Sequence, residues 1–250
     1  MLATNFFNIS ASIIFIIFFI IINPPTVSSA DSSCDEQERN IDGTVKQVLL
    51  MNLDMPLPRN VSSLEPWCSP FKTLSRRVSK LGKCLPPFLA QVVSVLGSGI
   101  KKPVKYICKT NQQRASASYA CMTPEYLVKF NKKMAFFMGS LHTIHKNVSD
   151  NDILPHFCCT VSRLLYDIYH LPSPKCKDPT INASKYVGDM VSLAVSDVVD
   201  LMCGSYRSFK TCQEKASSAL KFLRENSSDS LENRKASFVR RILNVVERLS

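Results

Sequence analysis

The sequence predicts an all-α protein, an irregular disulfide-stapled helical bundle of about seven to nine helices. Three observations predict this class. Apolar residues recur at spacings of three and four along most of the chain, as on one face of an α-helix. The sequence contains no paired runs of alternating apolar and polar residues, which would indicate β-strands. Ten cysteines and only seven glycines indicate a compact chain reinforced by cross-links.

The N-terminus has the pattern of a secretory leader. The first thirty residues contain no Lys, Arg, Asp or Glu, and Ile13–Ile22 is an unbroken apolar run. A helix of that length rises about 15 Å, half of a bilayer core. Asn23-Pro24-Pro25 then interrupts the helix, and Ser28-Ser29-Ala30 matches a signal-peptidase site. An uncleaved signal anchor is the alternative. We divide the chain into a signal peptide (1–30), a disulfide-rich helical domain (31–225) and a C-terminal amphipathic basic helix (226–250).

The helices are predicted in order along the mature chain. Ile41–Leu53 and Pro70–Leu96 are helical, the second interrupted at Pro86-Pro87. Thr123-Pro124-Glu125 is the clearest helix start, an N-cap followed by proline at the first helical position. It opens an amphipathic helix that ends near Asn147.

Three further helices are predicted toward the C-terminus. The first runs from Ile153 to Ile168 and ends before Pro172. Asp178-Pro179 is a second helix start, before an apolar stripe that is too long and too irregular in alternation for a strand. The last helix runs from Leu231 to Leu249.

The cysteines are predicted to form five disulfides. An even number of cysteines in an oxidising compartment indicates bridges, and zinc is disfavoured because the sequence has no C-x-x-C pair. Adjacent Cys158 and Cys159 point about 100° apart on a helix, so we expect them to bridge two different neighbours. Local pairing of Cys203 with Cys212 is one alternative, and the other connectivities stay open. The predicted set is Cys34, Cys68, Cys84, Cys108, Cys121, Cys158, Cys159, Cys176, Cys203 and Cys212.

Four glycosylation sequons follow the predicted leader. A glycan needs a solvated backbone, so each occupied sequon marks the protein surface. The predicted glycosylated residues are Asn60, Asn147, Asn182 and Asn226.

The net charge of +11 lies in one segment of the chain. Ser69 to Lys133 contains thirteen basic residues and one acid, Glu125, so the rest of the chain carries −1. Such a segment attracts a sulfated polysaccharide, an anionic lipid or an acidic protein surface, whereas nucleic acid is not expected as the partner of a secreted protein. The alternative is that these side chains are spread over several helices as ordinary solvated faces. The predicted anion-binding residues are Lys72, Arg76, Arg77, Lys80, Lys83, Lys101, Lys102, Lys105 and Lys109.

We expect a non-enzymatic protein without a cofactor or a bound metal. The sequence has no G-x-S-x-G elbow, no Gly-rich phosphate loop and no H-E-x-x-H motif. The active-site helix of secreted phospholipases A2 carries adjacent cysteines, but Ser162 stands here at the position of their histidine. His142 and His145 are three residues apart, yet no carboxylate lies in the following turn.

The leader, the spaced helical cysteines, the pair Cys158-Cys159 and the segment Leu201–Tyr206 before Cys212 resemble uncharacterised cysteine-rich secreted helical proteins of arthropods and nematodes. The resemblance covers roughly Cys34 to Cys212. It implies an extracellular location and a helical fold, and it supplies no catalytic residue.

The sequence therefore predicts a secreted, N-glycosylated helical protein with a binding or structural role, whose basic segment contacts an anionic extracellular partner. The alternative is a carrier of a small hydrophobic ligand, which requires an enclosed cavity lined by Phe and Met. Met134, Phe136, Phe137 and Met138 are the candidates for such a lining, and core packing is the simpler interpretation of these residues.

Overall fold

A computed structural model describes residues 30–51 and 56–249. Most of these residues are helical and none of them lies in a β-strand, so the predicted all-α class is confirmed. Residues 1–29 of the predicted signal peptide lie outside the described residues, and the first described helix begins at Ala30. The α-helices are α1 (Ala30–Val48), α2 (Val61–Cys68), α3 (Leu74–Gly82), α4 (Pro87–Lys105), α5 (Gln112–Ala120), α6 (Pro124–Asn147), α7 (Ile153–Tyr169), α8 (Ala183–Met202), α9 (Phe209–Lys215), α10 (Ser217–Asn226), α11 (Leu231–Lys235) and α12 (Phe238–Glu247).

The α-helices outnumber the predicted seven to nine because the last predicted helix is divided and because α2, α5, α9 and α10 lie in stretches where the sequence predicts no helix. The predicted helix Pro70–Leu96 consists of a 3₁₀ helix, Ser69–Thr73, followed by α3 and the first part of α4. The predicted interruption at Pro86-Pro87 is where α4 begins. The segment 226–250, predicted as one helix, contains α11 and α12, which extended backbone at Ala236 and Ser237 separates.

The chain divides into two units, Met1–Glu36 and Gln37–Ser250, and the second contains the hydrophobic core. In its interior α6 buries Phe130, Met134, Met138 and Leu141 completely, and it packs against α7, α11 and α12. Helices α4 and α8 pack closely against each other. A Cβ atom added at Gly99 would lie 2.1 Å from the carbonyl oxygen of Ala194, so only glycine fits at this crossing.

Disulfides connect helices that are distant in sequence, and no cysteine is a free thiol. Cys158–Cys203 and Cys159–Cys212 join α7 to the end of α8 and to α9, so the adjacent cysteines bridge two different neighbours as predicted. The local Cys203–Cys212 pair is not formed. Cys121–Cys176 ties the end of α5 to the loop before α8. The bridged residues lie 40 to 55 positions apart. A bridge that closes a loop of this length reduces the entropy of the unfolded chain and so stabilises the folded protein by roughly 4 kcal/mol.

The C-terminal helix α12 packs its apolar side into the core. Phe238, Ile242 and Val246 are all buried. Its N-terminus is held by Asp42 of α1, whose Oδ1 accepts a hydrogen bond from the backbone N–H of Val239 at 3.0 Å. In residues 30–51 and 56–249, no helix has the length and apolar character that crossing a membrane requires.

Candidate functional site

A groove of about 620 Å³ is lined by four of the nine predicted anion-binding residues. We call it the basic groove; its lysines are Lys72, Lys101, Lys105 and Lys109. Glu65 is the acidic residue in its wall, so four positive charges against one negative give a net charge of +3. Phe71, Val104 and the Cys68–Cys108 disulfide add an apolar surface.

Local backbone structure positions these lysines around the groove. Lys101 and Lys105 are four residues apart on α4, so they share one face of the helix. A π-helical turn, Tyr106–Thr110, follows α4 directly and contains Lys109. Such turns are frequent at functional sites. Lys72 lies in the 3₁₀ helix of the other wall. The Cys68–Cys108 bridge joins the two walls with its Cα atoms 5.9 Å apart.

The charge of the basic groove is largely uncompensated. Lys101, Lys105 and Lys109 are exposed, and none of them forms an ion pair with an acid in the part of the chain that the structure describes. Lys72 lies 4.0 Å from Glu65, but these side chains are 68% and 86% exposed, so water screens the pair. The groove therefore keeps a positive potential that attracts anions.

Three further predicted residues lie on a neighbouring surface. Arg76 and Lys80 are exposed on α3, and Lys83 is exposed at its C-terminal end. None of the three forms an ion pair with a described acid.

The remaining two predicted residues connect helices instead of facing the groove. Lys102 Nζ lies 2.5 Å from Asp197 Oδ1 and donates to Ser196 on α8. The Arg77 guanidinium donates to Thr44 Oγ1 of α1 at 3.2 Å. Lys102 and Arg77 therefore have partners within the fold.

Sequence reasoning missed four groove residues: Glu65, Phe71, Val104 and Gln112. The signal that points to them is the pairing of Cys68 with Cys108, because each cysteine lies four residues or fewer from a groove lysine. The spacing of the ten cysteines does not determine their connectivity, so the sequence alone does not place the two basic stretches side by side.

An apolar cavity of about 60 Å³ lies in the core, and Phe137 and Phe157 are among the residues that line it. Ligand pockets typically measure about 300–1,000 Å³, and even benzene was accommodated by a cavity of about 150 Å³. The cavity is thus too small for the predicted alternative, a hydrophobic carrier, in this conformation. Met134 and Met138 are core residues, while Phe136 stacks beneath the guanidinium of Arg163 at 4.9 Å.

The four sequon asparagines are exposed. Asn60 and Asn182 are the N-caps of α2 and α8, and each accepts a backbone hydrogen bond through Oδ1. The side-chain amide of Asn226 donates to the carbonyl oxygen of Phe222 at 2.8 Å. Glycosylation of these four residues stays a prediction.

His142 and His145, three residues apart on α6, belong to no metal-binding group of described residues. His145 Nδ1 lies 3.0 Å from the carbonyl oxygen of Asn244. Burial, Arg241 and Lys146 lower the pKa of His142. Among the described residues no group of three or more His, Cys, Asp or Glu side chains is placed to hold a metal ion.

Comparison of the chain with protein-family models, curated proteins and solved structures found no match. The functional argument therefore depends on the geometry and charge of the basic groove.

Proposed function

We propose that this chain is a secreted, N-glycosylated, non-enzymatic binding protein that holds a sulfated polysaccharide in the basic groove. The observation that carries the proposal is the convergence of four lysines from two separate stretches of sequence around one groove with one acid in its wall. The disulfide-rich helical fold is compatible with an extracellular location, where such polysaccharides occur.

The arrangement of the lysines suits a linear polyanion. Lys101 and Lys105 are four residues apart on α4, about 6 Å along the helix axis, and Lys109 follows in the π-helical turn. A row of cations complements a polymer that carries charges at regular intervals. Sulfate esters stay ionised at physiological pH, where the lysine side chains are also charged.

An anionic lipid surface fits the groove less well. Peripheral membrane binding uses protruding apolar side chains beside the cations. The large apolar residues exposed in the described structure do not line the groove: Val61, Phe88, Val128, Tyr166, Tyr169, Leu201 and Leu231. The recessed shape also favours a narrow chain over a flat membrane or a broad protein surface.

The test compares two pairs of neutralised lysines from the same basic segment. Lys101→Gln/Lys105→Gln removes charge inside the groove, whereas Lys129→Gln/Lys132→Gln removes the same charge from exposed positions on α6. Exposed ion pairs contribute about 0.2–1 kcal/mol each, so the groove variant should bind heparin about 2- to 30-fold more weakly at fixed ionic strength. The α6 variant should bind almost as tightly as the unmodified protein.

Two results would overturn the proposal. Equal losses in the two variants would mean that heparin responds to net charge alone. Binding to vesicles that contain anionic lipid, without binding to heparin at physiological salt, would assign the lysines to a membrane. Circular dichroism of each variant verifies that its helix content is unchanged.

A further inference from the structure

We infer that the basic groove is one end of a longer basic track, which continues along α3 through Arg76, Lys80 and Lys83. This inference depends on the proposed polysaccharide-binding function and specifies its ligand further. The ligand is an extended sulfated segment longer than the groove, and its affinity rises with chain length until it spans the track.

The first step is the alignment of α3 with α4. A Cβ atom at Gly97 would lie 2.9 Å from the methyl groups of Val78, and one at Gly82 would lie 3.9 Å from the Cβ of Ala90. The helices therefore run antiparallel, with residue numbers on α3 rising as those opposite on α4 fall. Lys72, just before α3, comes level with Lys101 by this alignment, and both line the groove.

The second step is the phase of the basic residues on α3. Arg76 and Lys80 are four residues apart on α3, and Lys83, the C-cap, follows after three more residues, so these side chains share a face of the helix. Lys72 precedes Arg76 by four residues, in the 3₁₀ helix that leads directly into α3. This face is separate from the buried one, which carries Leu74, Val78 and Leu81. Since Lys72 belongs to the groove, the face leads away from the groove along the surface.

The third step is the length and charge of the combined surface. The order along the track is Lys109, Lys105, Lys101 beside Lys72, then Arg76, Lys80 and Lys83. Lys83 comes level with about residue 90 of α4, so the track covers some nineteen helical positions, about 28 Å at 1.5 Å per residue. Glu125 is the only acid in the Ser69–Lys133 sequence, and Arg76, Lys80 and Lys83 form no ion pair with the acids that the structure describes.

The experiment measures the affinity of size-fractionated heparin oligosaccharides, from fragments that fit the groove to fragments longer than 28 Å, by calorimetry at fixed ionic strength. For the unmodified protein, affinity should rise with length and then level off. Arg76→Gln/Lys80→Gln should leave the affinity for short fragments unchanged and weaken the binding of long ones about 2- to 30-fold, which removes most of the gain with length. Lys101→Gln/Lys105→Gln should weaken every length.

The outcomes separate the two proposals. If the Arg76→Gln/Lys80→Gln variant binds long fragments as tightly as the unmodified protein does, while the groove variant loses affinity, the track is refuted and the polysaccharide-binding function stands. If no fragment binds the unmodified protein, the function and the track both fail. If Lys129→Gln/Lys132→Gln weakens long fragments as much as the α3 variant does, the length dependence is non-specific and the track is refuted.

Discussion

Replacing Arg248 with methionine should lower the free energy of unfolding by about 2–4 kcal/mol. Arg248 follows α12 and donates to the carbonyl oxygens of Ile144 at 3.2 Å, His145 at 2.6 Å and Val148 at 2.8 Å, at the C-terminal end of α6. The carbonyl oxygen of Ile144 also accepts from the backbone N–H of Val148. A hydrogen bond to a charged group contributes about 1.5–3 kcal/mol. Because Arg248 is 25% exposed, water can bind the carbonyl oxygens that the variant frees, so we expect a loss well below the sum for three such bonds. Asp150 also accepts from Arg248 at 2.5 Å, but its side chain is 76% exposed, so that ion pair adds less than about 1 kcal/mol.

The assay is urea unfolding with the disulfides intact. Arg248→Lys keeps the charge but loses the planar fork that reaches several carbonyls, so its loss should be intermediate. Asp150→Asn should cost less than about 1 kcal/mol. The matched control is Arg224→Met, an exposed arginine on α10, which should change stability by no more than about 0.5 kcal/mol. A loss for Arg248→Met no larger than that of the control would refute the capping argument.

Three other changes test separate parts of the fold. Gly99→Ala forces a Cβ atom against the backbone of α8 and should lower the free energy of unfolding by more than about 3 kcal/mol. Gly43, in α1, has no neighbour within 4 Å of an added Cβ atom, so Gly43→Ala should raise the free energy of unfolding by about 0.5–1 kcal/mol in the same assay. The pKa of His142 is lowered in the folded protein, so the unfolded chain binds a proton there more readily and stability falls as pH drops below about 6.5. His142→Gln should reduce this loss of stability between pH ~7 and pH ~5. Identical declines of the urea midpoint in the variant and the unmodified protein would contradict this prediction. Burial and the hydrogen bond to Asp189 raise the pKa of Tyr169 to about 12, so Asp189→Asn should lower the midpoint of its phenolate absorbance titration, and an unchanged midpoint would contradict this cause.

Helix periodicity and local capping explain which helices could be predicted. The start of α6 was predicted because Thr123 and Pro124 act locally: Thr123 Oγ1 accepts from the backbone N–H of Tyr126 at 3.2 Å. The start of α8 was predicted at Asp178-Pro179, but the helix begins at Ala183. Asp178 instead accepts two hydrogen bonds from Thr180 in a local turn, and Asn182 is the N-cap. Aspartate and asparagine both favour such positions, so the sequence alone does not decide between them.

The candidate site was predicted as a charged segment but not as a groove. Lys101 and Lys102 are adjacent in sequence and point about 100° apart on α4, so one lines the groove and the other meets Asp197. Which of the two lysines pairs with an acid depends on where α8 packs against α4. The sequence around the lysines does not determine this tertiary contact. The opposite wall depends on the Cys68–Cys108 pairing, which the spacing of ten cysteines does not determine.

The frame of the groove does not depend on its lysines. The disulfide joins the two walls, Trp67 packs edge to face on Phe71 with ring centroids 5.1 Å apart, and the Gln47 side chain donates to the carbonyl oxygen of Trp67 at 2.7 Å. Lys101 and Lys105 are exposed and lack ion pairs with the described acids, so their charges repel one another and contribute little to folding. Neutralising them should leave the free energy of unfolding within about 0.5 kcal/mol of its original value, or raise it. That result would support the proposed binding role of the groove, because an anionic ligand would supply the charge compensation that the fold does not provide.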